Sequence, residues 1–187
     1  MQVLDDALLI SFIKYRGTPT AGGYVQQCMR SGATAFSRFV CFNHYDEVVL
    51  RTVAGSPSAV TTLLSSPAPQ NAVASKKMLC FFLEGEGRPN SKLLPPFPFT
   101  EVVNLRLNHL ASIPSLDAEH AVSRLLPWYA SGDLWWRMAR TLAKKELILL
   151  LSHPTSLAEC DRVVSELRHV GLGPGADGAA FDLVEAW

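Results

Sequence analysis

No excess of either charge, no close pair of cysteines and no long apolar run mark this sequence, and each absence removes a class of function. Lysine and arginine together number 17, matched by 17 aspartates and glutamates. A protein that holds nucleic acid by charge alone carries a basic excess that neutralises phosphates, so that class is disfavoured. Cys28, Cys41, Cys80 and Cys160 form no C-x-x-C pair. The paired ligands of structural zinc are therefore missing, and the thiols read as small buried residues of a reducing compartment. No apolar stretch reaches the ~18 residues needed to cross a bilayer as a helix. Charged residues are sparse, at 18%. What is abundant is apolar: 48% of 187 residues, enough for one domain over 1–187 with a substantial core.

Catalytic signatures are absent too. There is no G-x-S-x-G and no H-E-x-x-H. The run Gly171, Gly173, Gly175, Gly178 follows a helical stretch and lacks the Lys-Ser/Thr of a phosphate loop, so it reads as a helix stop and turn. Glu84 and Glu86 flank Gly85 as solvated loop acids. Cys41-x-x-His44 has no second ligand pair. The expectation is no catalytic residue, no cofactor and no metal.

Periodicity divides the chain into three: a helical hairpin over 1–40, an irregular middle over 41–115 and helical hairpins over 116–187. "DALLISFIKYRG" carries a broad apolar face and stops at Gly17; "PTAGGYVQQCMRSG" opens on proline and stops at Gly32. In the middle, "KKMLCFFLEGEG" fits a helix or a buried strand, "TEVVNLRLNHL" a strand or a helix, and "LLPPFPF" must be extended. Towards the end, Ser115 caps "SLDAEHAVSRLL", and a capped helix runs from near Ser156 to His169 before Gly171. The fold class expected is mainly α: helical hairpins of the repeat or solenoid type, with a few short strands in the middle third.

Val164-x-x-Leu167-x-x-x-Gly171-x-x-Pro174 resembles the close of a pentatricopeptide repeat, and residues 6–40 resemble a second copy. That resemblance implies a helical solenoid of an organellar ribonucleoprotein, located in the mitochondrion, with the cytoplasm as the alternative. The polar residues it offers for base reading are Asp6 and Ser11. Too few hairpins are present to cover one another, since stacked repeats need about three units. The expected function is thus a non-catalytic structural subunit of a large ribonucleoprotein, a mitochondrial ribosome first among them. Its partners would be other protein subunits and RNA backbone, with no membrane span and no small-molecule substrate. Arg16, Arg30, Lys76, Lys77, Arg137, Arg140, Lys144 and Lys145 are the candidate RNA contacts. Phe97, Phe99, Trp128, Trp135, Trp136 and Trp187 are the candidate partner contacts. The alternatives are a helical adaptor in a protein-only complex and a small enzyme of unknown class.

Overall fold

The computed structural model describes residues 7–16, 35–41, 46–53, 57–65, 71–87, 94–105, 115–130, 132–141, 146–169 and 179–186. It is an eight-stranded closed antiparallel barrel with helices on its outside. In chain order the elements are β1 (Ala7–Tyr15), β2 (Ala35–Cys41), β3 (Glu47–Val53), α1 (Pro57–Ser65), β4 (Ala72–Gly87), β5 (Phe99–Leu105), α2 (Ser115–Tyr129), β6 (Trp135–Thr141), β7 (Leu147–His153), α3 (Leu157–His169) and β8 (Ala179–Ala186). Around the barrel the strands run β1-β3-β2-β8-β5-β7-β6-β4.

That order is one four-stranded pattern used twice. The first unit is the sheet β4-β1-β3-β2, the second the sheet β8-β5-β7-β6, each the arrangement of a split β-α-β motif. Two of the three ladders match rung for rung, while β1–β4 pairs over nine rungs and its counterpart β5–β8 over four. β1 and β3 pair over seven rungs, Ala7↔Val53 to Ile13↔Glu47, and β5 and β7 over seven, Phe99↔His153 to Leu105↔Leu147. β2 and β3 pair over six rungs, as do β6 and β7. Two seams join the units, β2 to β8 and β4 to β6. β4 serves both sheets: Ala72–Phe81 lie on β1, and Cys80–Gly87 lie on β6 with a register break after Phe82.

The helical solenoid and the pentatricopeptide resemblance are corrected by this barrel. Residues 7–15, expected as a helix, form β1, and "WWRMART" and "LILLLSH", expected within helical hairpins, form β6 and β7. The physical reason is burial on both faces. A strand with the barrel interior on one side and a covering layer on the other needs apolar residues at every position, so alternation vanishes. Eight of the nine residues of β1 are buried, Lys14 excepted. In β7, Ile148 and Leu150 face the barrel interior with Leu8, Ile10, Phe12, Cys80 and Trp135. Leu147, Leu149 and Leu151 face outward under Val122 and Leu126 of α2 and Val163 and Leu167 of α3. Segments left open between helix and strand, "KKMLCFFLEGEG" and "TEVVNL", are strands β4 and β5.

Two helices do stand where sequence placed them. Ser115 opens α2. Ser156 Oγ accepts the Ala158 N–H at 3.0 Å and caps α3, with Glu159 in its first turn and Arg168 and His169 in its last. Gly132, at φ 63°, takes the left-handed turn that leads from α2 into β6.

Candidate functional site: a buried carboxyl under helix α3

Helix α3 presents Cys160, Val163, Val164 and Leu167 to the outer face of the second sheet. Helical geometry then sets Asp161 and Arg168, two turns apart, on one flank of that apolar stripe. The other flank is pinned: Arg162 Nη2 donates to the Tyr129 carbonyl at 2.6 Å, and its Nε to Glu159 at 3.3 Å. Beneath the Asp161 flank lies Glu101 of β5, only 8% exposed. It shares its face of the strand with Val103 and Leu105, whose side chains pack under the helices.

The Glu101 carboxyl is pushed up to about 8. Burial is the main cause, followed by a hydrogen bond to Asp161 and the charge of Asp161; Arg168 opposes them. Glu101 Oε2 is buried and no donor among the described residues reaches it. With another carboxyl beside it, the arrangement is satisfied only when Glu101 keeps its proton and donates it to Asp161. Cys160, next along α3, is driven to about 12 by burial and then by the charges of Glu101, Asp161 and Glu159. It is a neutral thiol, unsuited to attack. The cluster is therefore a proton-holding site: a buried acid that titrates near neutrality, with a carboxylate and a guanidinium at its rim.

A second polar feature lies inside the barrel. Arg137 of β6 stacks 3.9 Å from the ring centroid of Phe82, on the same face of the strand as Trp135. The "LLPPFPF" segment is tied across this end, with Phe97 N–H donating to Ser152 Oγ at 3.2 Å, and Thr100 Oγ1 and Ser152 Oγ both on the Phe97 carbonyl.

The residues proposed from sequence are spread over the molecule. Arg16 is exposed at the end of β1. Lys76 reaches out to 6.0 Å from the Phe12 ring, and Lys77 Nζ donates to the Leu64 carbonyl at 3.2 Å. Arg137 and Trp135 face inward, and Arg140 and Trp136 outward. Phe97 and Phe99 are half-buried, and Trp128 is 85% exposed. Arg30, Lys144, Lys145 and Trp187 lie outside the described residues; so does Asp6. Ser11 is buried and accepts from Arg51 Nη2 at 3.2 Å. Sequence reasoning missed Glu101, Asp161 and Arg168. The available signal was an acid in phase with Val103 and Leu105 in "FTEVVNL", once that segment is read as a strand.

No known protein family and no curated protein matches the sequence. Solved structures do match the fold. A proposed monooxygenase from Lactobacillus acidophilus NCFM superposes with a TM-score of 0.63 at 8% identity, over 97% of this chain and 95% of that one. A heme-binding protein from Thermus thermophilus gives 0.63 at 13% identity, over 97% and 92%. A proposed chlorite dismutase gives 0.58 at 14% identity, over 97% and 95%. The barrel is a fold that proteins named as enzymes and as a ligand binder also use. The expected ribosomal subunit is overturned with its helical repeat, and the expected lack of catalysis finds no support among these neighbours.

Heme is the ligand named for one of these neighbours, and no described histidine or cysteine is placed to ligate it. His153 Nδ1 accepts the N–H groups of Thr155 and Ser156, both at 3.2 Å, which places the ring proton on Nε2. His169 is exposed at the end of α3. Cys80 and Cys160 are both held as thiols near 12. No described imidazole or thiolate thus presents a bare ligand atom to a buried site. The side chain of His120 and all of His44 and His109 lie outside the described residues. Among the described residues no three His, Cys, Asp or Glu side chains gather as metal ligands, and no helix is long and apolar enough to cross a membrane.

Proposed function

We propose that the chain is a small-molecule oxidoreductase in which Glu101 gives and takes a substrate proton and dioxygen accepts the substrate's two electrons, leaving as hydrogen peroxide. The observation that carries this reading is a carboxyl nine-tenths buried, with an oxygen that no donor among the described residues reaches, facing a second carboxyl at the surface. The first unit folds with Leu9 at the corresponding rung, so the barrel itself does not call for an acid. The names of the structural neighbours, a monooxygenase and a chlorite dismutase, favour oxidation chemistry over hydrolysis.

In this reading the substrate lies along the rim formed by Asp161 and Arg168. Glu101 stores the proton at neutral pH, Asp161 relays it to or from solvent, and Arg168 steadies negative charge that develops on the substrate oxygen. Cys160 stays a spectator under the helix.

The test is a panel of phenols, quinols and enolisable carbonyl compounds, followed by oxygen uptake and by product analysis. Turnover is expected to change across a pH near 8, and Glu101→Gln to abolish that limb while Glu101→Asp keeps part of it. A folded protein that neither binds nor converts any member of the panel overturns the proposal, as does an unchanged pH profile in Glu101→Gln.

A further inference from the structure

On the opposite, inward face of β5, three rungs beyond Glu101, Asn104 is 3% exposed. Its Nδ2 donates to Glu146 Oε2 at 3.0 Å. That bond fixes which end of the amide is oxygen, because the flipped amide would set two acceptors against each other. Asn104 Oδ1 is then left buried with no donor among the described residues. Such an atom costs about 1–3 kcal/mol if nothing bonds it.

Glu146 is anchored by its main chain: its N–H donates to Thr141 Oγ1 at 3.0 Å, and its carbonyl accepts the Thr141 N–H at 2.9 Å. The Thr141 hydroxyl lies 3.5 Å from the same carbonyl. Cys80, level with Thr141 across the β4–β6 seam, is pushed up first by burial and then by the charge of Glu146. Its thiol therefore sits in a negative field. At the corresponding rung of the first unit the barrel holds Phe12, so the amide is not required for closure; the place of Glu146 is taken there by Asp46, whose Oδ2 accepts the Tyr15 N–H at 2.8 Å.

We propose that this end of the barrel binds a primary ammonium group, held between Asn104 Oδ1 and the Glu146 carboxylate. Two adjacent acceptors, one of them anionic, call for a partner that brings several N–H donors and a positive charge. A hydroxyl brings one donor without charge, and an anion is repelled. The site lies across the strand from Glu101 and does not depend on the proposed chemistry there.

The probe is benzylammonium, with benzyl alcohol as the neutral comparator, titrated into the full chain. The readouts are the Asn104 side-chain amide signals by NMR and the melting temperature. Benzylammonium is expected to shift the amide signals and raise the melting temperature, and benzyl alcohol to do neither. Glu146→Gln, which keeps an acceptor for Nδ2 but removes the charge, should weaken binding about tenfold or more. Asn104→Leu should abolish it, and Glu101→Gln should leave it unchanged. The proposal is overturned if benzyl alcohol binds as tightly, if Glu146→Gln binds as well as the parent, or if the amide signals stay fixed because a bound water alone fills the place.

Discussion

The two units of the barrel solve the same packing problem with different residues. On the third rung of the matched ladders, the first unit pairs Leu9 with Arg51 and the second pairs Glu101 with Leu151. Each unit buries one charged side chain on its outer face at this level, a base in one and an acid in the other, and each has leucine where its counterpart has the charge. On the sixth rung, Phe12 and Val48 stand opposite each other in the first unit, and Asn104 and Ile148 in the second. The fold evidently tolerates apolar residues at every one of these positions. Burying Glu101 or Asn104 costs desolvation that the barrel does not need, since each has an apolar counterpart in the first unit.

The strongest way to probe the comparison is the barrel interior. Trp135, 2% exposed, stands at the rung where the first unit has Ala35. Trp135→Ala should lower stability by about 3–5 kcal/mol in urea unfolding, because the cavity it leaves cannot collapse in a closed barrel. A loss well under that would mean that the two units are packed alike despite the size difference.

Next comes the buried acid. Glu101 holds its proton in the folded chain up to about 8, against 4.5 as its ordinary value. The folded state therefore binds the proton more tightly. Its contribution is fully present below pH 4.5 and is lost as pH rises through 8, by at most ~1.4 kcal/mol per pH unit. Glu101→Leu, which copies Leu9, should remove this slope and leave the variant more stable than the parent by about 2 kcal/mol at a pH of about 9. Melting curves at about pH 5 and about pH 9 decide the matter, and an unchanged slope would show that another group titrates.

Smaller effects follow at the periphery. Ser156→Ala removes the cap on α3 and should cost about 1 kcal/mol, measured by the same unfolding curves. Trp128→Ala, at an 85% exposed position belonging to neither sheet, should change stability by less than about 0.5 kcal/mol. A larger loss there would reveal a contact that neither unit accounts for.

Local signals in the sequence are legible where one end of an element announces itself. Ser115 and Ser156 each mark a helix start, and the prolines of "LLPPFPF" exclude helix from 94–98. The strands are illegible for the reason that makes them stable. Leu8, Leu9, Ile10, Phe12 and Ile13 satisfy a helical stripe and a doubly buried strand equally, and only the pairing of β1 with β3 and β4 decides between them. The duplication is hidden because matched rungs share burial rather than identity: Ser11 answers to Val103, and Glu47 to Leu147. Glu101 can be seen only once its strand is known, and its acidity depends on Asp161, 60 positions away in the chain and adjacent only through α3.

The two seams of the barrel are unequal in a way that bears on how the chain finds its shape. β4 is continuous across one of them, so the first unit hands its last strand directly to β6. The other seam joins β2, near the start, to β8, the final strand, with Ser37 opposite Ala186. Closing so long a loop costs more entropy than closing any other joint of the ring, and the cost is lowered once the intervening strands are paired. The β2–β8 joint is thus the clasp of the barrel: of its eight joints it ties together the most distant stretches of chain, and its closure carries the largest loop entropy.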